Sequence, residues 1–505
     1  MINKEAIYNL KNIIKNLYLS DDLPWVIGYS GGKDSTATLQ LVWMAISDLP
    51  YEQRNKTVHV INTDTLVESP VVSKWVNSSL ELMKEAIKKD NLPFNVHQLT
   101  PNFEDSFWVN FLGKGYPAPR RNMRWCTDRL KIKPVNTFIK QKIAEHGEII
   151  MILGTRKAES TNRARSMENL EKQRVRELLS PNPTLKNEYV FSPLEDWSND
   201  DVWTFLLQFK NPWGRKNTDL LTLYRGATED GECPIIQDKN TPSCGNSRFG
   251  CWVCTVISKD KSMEAMIGNG NSHNDWMRPM VDLRNEFEKS KDEREKRSFR
   301  KMAGYLQGSY GHLNHGPYLK QFREEWLKKL LTIQKSIRDE APEEFRSTIL
   351  ISQQELEAIR RIWVLEKHEF DDSLPRIYKE VFGEDFIDPT WVFSDSFGKE
   401  EWDLLKECCQ DLYPDETLLF ELMYSALDLE RYSEKTGNRK GLRDNLKTLI
   451  SSSFYKDEND ALSYYTNINV ERREYGLEYA SRFFETYDNP RYQQDNDDSF
   501  LEDSE

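Results

Sequence analysis

Short apolar runs alternate with longer amphipathic stretches in the first part of the chain. Val26 and Ile27 form the first run, and Val58–Asp64 and Glu148–Gly154 form two longer ones. The run Val58–Asp64 has little polar alternation, which is typical of a parallel strand that is buried on both faces. A shorter strand is predicted at Phe94–Leu99. Because these strands alternate with helical patterns, the sequence predicts an α/β fold with an open, doubly wound, mainly parallel sheet.

The amino-acid composition changes after about residue 210. Residues 211–254 are rich in Gly, Pro and Cys, the stretch from about residue 263 is charged and helix-like, and residues 493–505 are acidic. A helix is predicted in the first twenty-two residues from the spacing of its apolar positions. The predicted division is therefore an N-terminal helix (1–22), a nucleotide-binding domain (23–210), a cysteine-rich metal segment with helices (211–330), a helical C-terminal domain (331–490) and an acidic disordered tail (491–505).

Composition and charge narrow the class of protein. An apolar share of 38% indicates a globular chain, and a net charge of −13 argues against a protein that coats nucleic acid by itself. A local basic site on the surface remains compatible with this negative net charge. Seven cysteines, four of them bunched, favour metal or redox chemistry in a reducing compartment, and no apolar run is long enough to span a membrane. The sequence thus predicts a cytoplasmic protein without membrane association.

The turn after the first strand carries the clearest candidate chemistry. Two glycines allow close backbone approach, the start of the next helix offers free N–H groups, and Lys33 adds a cation, which together predict an anion site. Asp34 follows the lysine where a Walker A loop needs Ser or Thr, so this is a different kind of phosphate loop. The predicted nucleotide-binding residues of the turn are Ser30, Gly31, Gly32, Lys33, Asp34 and Ser35.

Two further strand ends add candidate ligand contacts. Asp64 ends the second strand, at the edge where parallel sheets bind ligands, and is predicted to contact the adenosine side of a nucleotide. Gly154 ends the third long run and allows close approach of a ligand. Arg156 follows it and is predicted to clamp a phosphate in bidentate fashion.

Four cysteines are bunched in a C-x10-C-x6-C-x2-C pattern, in a segment that glycines and prolines bend. Four thiolates bind either an iron–sulfur cluster or Zn²⁺, and the single C-x2-C slightly favours the cluster over a zinc ribbon. A structural zinc staple stays open as the alternative. The predicted metal ligands are Cys233, Cys244, Cys251 and Cys254.

Cys126 stands apart from this group, within a basic stretch from Arg120 to Lys133. Six basic side chains against one Asp are expected to lower the pKa of its thiol and to favour a nucleophilic thiolate. A small packing residue in a cationic loop is the alternative. The same charges would attract a phosphodiester, and the predicted nucleic-acid contacts are Arg120, Arg121, Arg124 and Arg129.

Four segments, taken in order, resemble the sulfonucleotide (PAPS) reductase-like branch of the ATP pyrophosphatase superfamily. They are SGGKDS at 30–35, WCTDRLKIKP at 125–134, LGTRKAES at 153–160, and PLEDW with DDVW at 193–203. This resemblance implies an adenine nucleotide α-hydrolase-like fold and cleavage of ATP between its α and β phosphates. The terminal Glu-Cys-Gly motif of the reductases is missing.

With SRFGCWVCT at 247–255, the chain resembles the DNA phosphorothioation sulfurtransferases of the DndC type. That resemblance implies ATP, Mg²⁺ and a [4Fe–4S] cluster as cofactors, with Lys33, Asp34, Cys126 and Arg156 in catalysis. It implies DNA as substrate and, as partners, a cysteine desulfurase, an SMC-like ATPase and a small DNA-binding subunit. A sulfonucleotide reductase and a tRNA thiolase of the same superfamily are the alternative functions, and a non-enzymatic subunit that holds nucleotide and metal is another.

Overall fold

The computed structural model describes residues 2–227, 249–268, 274–302, 306–309, 312–367, 369–389, 391, 399–409 and 457–467. The contact pattern divides the chain into two units, residues 1–292 with 320–392, and residues 293–319 with 393–505. This division differs from the domain boundaries that the sequence predicts, which stay a prediction. No helix among the described residues combines the length and apolar character needed to cross a bilayer.

The helices and strands alternate through the first half of the chain, as the hydrophobic pattern predicts. The strands are β1 (Trp25–Gly28), β2 (Val58–Thr63), β3 (Phe94–Leu99), β4 (Ile149–Ile152), β5 (Ser180–Pro181), β6 (Glu188–Phe191), β7 (Gly308–Ser309) and β8 (His312–Leu313). The helices are α1 (Lys4–Leu19), α2 (Lys33–Ser47), α3 (Pro70–Asp90), α4 (Trp125–Thr127), α5 (Lys133–His146), α6 (Thr161–Glu171), α7 (Asn199–Gln208), α8 (Asn217–Gly226), α9 (Lys261–Gly268), α10 (Arg278–Ser290), α11 (Lys320–Glu340), α12 (Gln353–Arg361), α13 (Ser373–Phe382) and α14 (Lys399–Cys409).

Six strands form one sheet in the order β3-β2-β1-β4-β6-β5. The first five strands of this order run parallel, and β5 pairs with β6 in the antiparallel direction. The predicted mainly parallel α/β sheet is therefore confirmed. The sequence pattern missed β5 and β6 because both are short, and β6 begins with a charged residue, Glu188.

Helices cover both faces of the central strands. Val26 of β1 packs with Ile139 of α5 and Met151 of β4 in one apolar cluster. Because neighbouring side chains of a strand point to opposite faces, Trp25 lies on the other side, where its ring meets Tyr18 of α1 edge-on at 5.3 Å. Central strands that are buried on both faces leave their carboxyl ends as the accessible edge of the sheet.

The first unit also contains helices from beyond residue 320. Trp108 is fully buried and donates from Nε1 to the carbonyl oxygen of Leu350 over 2.7 Å. Trp363 donates in the same way to the carbonyl oxygen of Leu112 over 2.9 Å. The capping box predicted at the start of α12 is present, since Ser352 accepts from the backbone N–H of Glu355. The cysteine-rich segment and the helical C-terminal region stay predictions, because residues 228–248 and most residues after 409 lie outside the described part.

A pair of histidines links β2 to β3. Nδ1 of His59 lies 3.0 Å from Nε2 of His97, and His59 is only 5% exposed. Burial, together with the nearby His97 and Lys142, lowers the pKa of His59 to about 4. The folded protein therefore keeps this imidazole neutral where an unfolded chain would begin to protonate it.

We expect the free energy of unfolding to fall as the pH drops from about 6.5 towards 4, because the unfolded state then binds protons that folded His59 does not. The contribution of His59 is at most about 3 kcal/mol. Urea unfolding of His59→Gln at several pH values should show a shallower decline than the wild type. His146→Gln, which removes an exposed imidazole, should keep most of the decline. Equal slopes for His59→Gln and the wild type would assign the effect to other groups.

Candidate functional site

The turn between β1 and α2 is held in shape by its own side chains and backbone. Gly31 has a φ of +75°, and a Cβ added there would lie 2.5 Å from Cγ2 of Val76. The N–H of Ser30 donates to Oγ of Ser35 over 3.2 Å, and that hydroxyl donates to the carbonyl oxygen of Gly32 over 3.1 Å. From α3, Trp75 donates its Nε1–H to the carbonyl oxygen of Gly31 over 3.1 Å. The turn therefore needs glycine at position 31 and is fixed before any ligand binds.

The helix that follows the turn presents an uncapped N-terminus. Gly32 is the N-cap residue of α2, and no side chain of the cap bonds to the first turn. The first N–H groups of a helix have no partner inside the helix, and the helix dipole favours an anion beside them. The turn Ser30–Ser35, called the phosphate turn from here on, thus has the geometry of an anion site, and phosphate binding there stays a prediction.

Asp34 joins two cations at this site. Its Oδ2 lies 2.7 Å from Nζ of Lys33, and its Oδ1 lies 2.7 Å from Nε of Arg156. Arg156 is 3% exposed and donates from Nη1 to the carbonyl oxygen of Trp197 over 3.0 Å. Two nitrogens of its guanidinium are therefore engaged within the protein. Arg156 holds Asp34 in place in this structure. Only the remaining N–H groups of its guanidinium could donate to a phosphate, and the bidentate clamp stays a prediction.

Gly154 allows this ion pair to form. A Cβ at position 154 would lie 2.8 Å from the carbonyl oxygen of Asp34 and 2.9 Å from Oγ1 of Thr38. The end of β4 therefore approaches the first turn of α2 more closely than any residue with a side chain permits. The predicted close approach at Gly154 is real, but the neighbouring group is protein backbone.

A cavity of about 690 Å³ opens beside the turn. Ligand pockets in proteins typically measure about 300–1,000 Å³, so the volume suits a nucleotide. The described residues that line it include Ser30, Gly32, Lys33, Asp34, Ser35, Glu68, Lys131, Gly154, Arg156 and Tyr224. Asp64, which the sequence places on the adenosine side, instead lines a second cavity of about 1250 Å³. Its Oδ1 accepts from the N–H of Leu66 over 2.9 Å.

The C-x2-C segment is attached to the loop that follows β2. Cys251 forms an antiparallel bridge with Glu68, and the N–H of Trp252 donates to the carbonyl oxygen of Val67 over 3.0 Å. Oγ1 of Thr65 lies 3.3 Å from Sγ of Cys251. This pairing brings the cysteines to the same edge of the sheet as the phosphate turn.

Arg284 of α10 holds the other end of this segment. The side chain is 1% exposed, and its guanidinium donates to the carbonyl oxygens of Cys254, Ile257 and Ser258. From Nη2 to the oxygen of Cys254 the distance is 2.7 Å. A buried guanidinium that collects three carbonyl groups gives the irregular chain after Cys254 a fixed shape.

Cys126 and Lys131 join the C-x2-C cysteines in one group. Lys131 interacts electrostatically with Cys251 above all, and also with Glu68, Cys126 and Cys254, which together raise the pKa of its ammonium. Burial raises the pKa of Cys126, and the neighbouring Cys254 raises it further. Burial also raises the pKa of Cys251, to about 12. The expectation that basic neighbours lower the pKa of the Cys126 thiol is therefore wrong, because desolvation of the thiolate and the neighbouring Cys254 dominate.

The predicted metal ligands are only partly within the described residues. Cys251 and Cys254 are described, whereas Cys233 and Cys244 lie outside the described residues. Among the residues that the structure describes, no group of three or more His, Cys, Asp or Glu is arranged to hold a metal ion. The four-cysteine site, whether for an iron–sulfur cluster or for Zn²⁺, stays a prediction.

The arginines proposed to contact nucleic acid fall into two pairs. Arg120 lies 3.4 Å from Asp292, and Arg129 donates to Asp105 over 3.0 Å, so both carry a local counter-charge. Arg121 and Arg124 are exposed and make no ion pair with the described residues. These two are the better placed of the four for an external phosphate.

Sequence reasoning missed three residues of this site: Glu68, Lys131 and Tyr224. The hydroxyl oxygen of Tyr224 accepts the N–H of Lys33 across 191 positions of the chain, over 3.2 Å. No local pattern marks such a contact. Lys131 lies in the basic stretch that the sequence singles out, and its position five residues after Cys126 was the one available signal.

A known protein family matches the region that contains the candidate site. The phosphoadenosine phosphosulfate reductase domain family matches residues 24–257. This stretch includes the phosphate turn, Cys126, Arg156 and the C-x2-C segment. Residues 24–257, slightly less than half of the chain, are therefore similar to the PAPS reductase domain.

Individual relatives of the PAPS reductase-like domain are distant. An uncharacterized protein of Methanocaldococcus jannaschii is 28% identical over 207 residues, which are 41% of this chain and 36% of the relative. The chain thus spans about a third of that relative's length.

Three solved structures are similar to this chain, with low TM-scores and low sequence identity. A phosphoadenylyl-sulfate (PAPS) reductase from Candida auris has a TM-score of 0.26 and 13% identity, over 41% of this chain and 87% of its own. The U34-tRNA thiolase NcsA from Methanococcus maripaludis, solved with its [4Fe–4S] cluster, has a TM-score of 0.27 and 12% identity. The match covers 57% of this chain and 81% of the thiolase chain. An FMN adenylyltransferase from Candida glabrata, in complex with FAD and inorganic pyrophosphate, has a TM-score of 0.26 and 12% identity. The match covers 48% of this chain and 73% of the adenylyltransferase chain. At these scores the similarities carry no argument about substrate or cofactor.

Substituting Gly154 by Ala should destabilise the protein by about 1–3 kcal/mol, because the added methyl group meets the backbone of Asp34. The shift should also displace Asp34 from Arg156 and weaken ATP binding. Urea unfolding and isothermal titration with ATP measure the two effects. Gly226→Ala is the matched control, since nothing lies within 4 Å of its added Cβ. Equal stability of Gly154→Ala and the wild type would show that β4 and α2 move apart freely.

Proposed function

We propose that this protein is an ATP-dependent sulfurtransferase that replaces a non-bridging oxygen of a DNA backbone phosphate with sulfur. The phosphate turn would activate the DNA phosphate with ATP, and the cysteine group would deliver the sulfur. The proposal includes a cysteine desulfurase as sulfur donor, with an SMC-like ATPase and a small DNA-binding subunit as partners.

One observation carries the proposal: two residues that interact with the cysteines, Glu68 and Lys131, line the cavity beside the phosphate turn. Lys131 and Glu68 line the cavity beside Lys33 and Ser35. Lys131 also interacts with all three described cysteines of the group. Sulfur transfer requires the thiol and the activated phosphate to lie close together, and the two shared neighbours support the proposal in this respect.

The activation step follows from the chemistry of the turn. An oxygen of the DNA phosphate would attack the α-phosphorus of ATP and release pyrophosphate, since a free phosphate oxygen is too poor a leaving group. The uncapped first turn of α2 and the ammonium of Lys33 would stabilise the negative charge that develops on the phosphates. Mg²⁺ would supply further charge neutralisation on those phosphates.

The sulfur step would use Cys126. A terminal persulfide sulfur on Cys126 would attack the activated phosphorus and expel AMP, and a thiol would then cleave the S–S bond, leaving sulfur on phosphorus and forming a disulfide. The ammonium of Lys131, which interacts with Cys126, would stabilise the anionic form of this persulfide. Arg121 and Arg124 are the exposed cations that would hold the DNA strand, and binding should weaken steeply with salt.

A [4Fe–4S] cluster on Cys233, Cys244, Cys251 and Cys254, with Zn²⁺ as the alternative, is part of the proposal. The described half of this set is compatible with a bound metal, because Arg284 fixes the backbone at Cys254 and Lys131 provides a counter-charge for thiolates. An anaerobic assay of iron and acid-labile sulfide on the full chain separates the two metals.

A sulfonucleotide reductase is the second candidate, since the matching family is named for that activity. The phosphate turn is common to both functions. Reduction of adenylyl sulfate or of PAPS with thioredoxin, without consumption of ATP, would favour the reductase. ATP-dependent release of pyrophosphate would favour the sulfurtransferase.

Asp34→Asn should lower the rate of pyrophosphate release from ATP and DNA by on the order of 100-fold or more, because the neutral amide weakens the ion pairs with Lys33 and with Arg156 that hold the turn. Iron content should equal that of the wild type. Asp48→Asn is the control, since Asp48 pairs with Lys11 and Lys15 at the far end of the same helix. Wild-type turnover in Asp34→Asn would remove the turn from the mechanism.

Mass spectrometry of digested DNA tests the whole proposal. Cells that express the wild-type chain with its partners should contain phosphorothioate dinucleotides, and cells without the chain should contain none. Cys126→Ser should retain pyrophosphate release but yield no phosphorothioate, whereas Cys408→Ser, at an exposed position outside the site, should behave as the wild type. Phosphorothioate formation by Cys126→Ser would exclude the persulfide role of Cys126.

A further inference from the structure

The hydroxyl group of Tyr224 lies at the uncapped N-terminus of α2. Its oxygen accepts the N–H of Lys33 over 3.2 Å, and a Cβ at Gly32 would also lie 3.2 Å from it. Tyr224 is only 7% exposed, yet it lines the cavity beside the phosphate turn. A side chain from α8 therefore takes the place of the missing N-cap and faces the space that a ligand would occupy.

The hydrogen of this hydroxyl has no acceptor among the described residues. The oxygen of Tyr224 is used as an acceptor by Lys33, so the O–H bond must point away from the helix. Buried donors in native proteins are nearly always paired. The unpaired donor lines the cavity, and its natural acceptor is an atom bound there.

Packing fixes the direction of this donor. The ring of Tyr224 meets Trp203 edge-on at 5.2 Å and Phe249 at 4.6 Å. Burial raises the pKa of the phenol well above its usual value, so the hydroxyl stays protonated and remains a donor. The nearby ammonium of Lys33, 6.0 Å from the ring centroid, and the N-terminus of α2 both favour a negatively charged acceptor.

We propose that Tyr224 binds the pyrophosphate portion of the nucleotide, by donating its O–H to a phosphate oxygen while it holds the N–H of Lys33. The inference rests on the proposed function, because it assumes that the cavity receives ATP. Tyr224 then replaces one of the backbone donors of the turn with a side-chain donor that reaches further into the cavity.

Isothermal titration of the full chain with inorganic pyrophosphate tests this role. Tyr224→Phe keeps the ring contacts and removes only the donor, and it should weaken pyrophosphate binding by on the order of tenfold to a hundredfold. Tyr18→Phe is the matched control. Tyr18 is also buried, but its hydroxyl bonds to the backbone of Lys56, at 2.7 Å to the carbonyl oxygen and 2.9 Å to the N–H. Pyrophosphate binding by Tyr18→Phe should equal that of the wild type.

The outcomes separate this inference from the proposed function. A wild-type protein that binds neither pyrophosphate nor ATP would overturn both. Wild-type binding with equal or tighter binding by Tyr224→Phe would overturn only the inference, since Tyr224 would then serve as a helix cap. A parallel titration with adenosine, which lacks phosphates, should give the same affinity for both proteins. Loss of adenosine binding in Tyr224→Phe would show a folding defect. A crystal structure of the wild-type protein with pyrophosphate would then decide, and a phosphate oxygen beyond hydrogen-bond distance of the Tyr224 hydroxyl would overturn the inference.

Discussion

The shared carboxylate of Asp34 is the interaction on which the site depends. It holds the ammonium of Lys33 on one oxygen and the guanidinium of Arg156 on the other, each at 2.7 Å. Both cations are largely removed from solvent, so the loss of Asp34 would leave two buried charges without compensation. This pairing ties the start of α2 to the chain that follows β4, and Gly154 makes the short approach possible.

The sheet supplies the frame for the remaining groups. Parallel strands place their carboxyl ends along one edge, and the turn after β1, the loop after β2 and the segment after β4 all meet there. The loop after β2 carries the C-x2-C segment through its bridge between Glu68 and Cys251. Residues of the phosphate turn therefore line one cavity with Glu68 and Lys131, which interact with the cysteines, and this is the geometric basis of the proposed sulfur transfer.

The residues of the site fall into two groups: those proposed to bind a ligand and those that hold the phosphate turn in shape. Arg156 and Asp34 are engaged with each other, with Lys33 and with the backbone, and their first task is to keep the turn in shape. The first turn of α2, Lys33 and Tyr224 line the cavity and are the groups proposed to bind phosphate. Cys126 is half-buried, and desolvation together with the neighbouring Cys254 raises the pKa of its thiol.

The sequence alone determined the α/β class, β1 to β4 and the phosphate turn, because hydrophobic period and glycine-rich turns are local properties of the chain. It also identified Cys126 and the C-x2-C segment as separate features. Only the tertiary structure decided that these cysteines meet beside Lys131, that Asp64 lines a different cavity, and that Tyr224 reaches the turn from 191 positions away. The pKa of Cys126 was misjudged for the same reason: neighbours in sequence are visible, but burial and contacts across the fold decide whether a thiolate is stable.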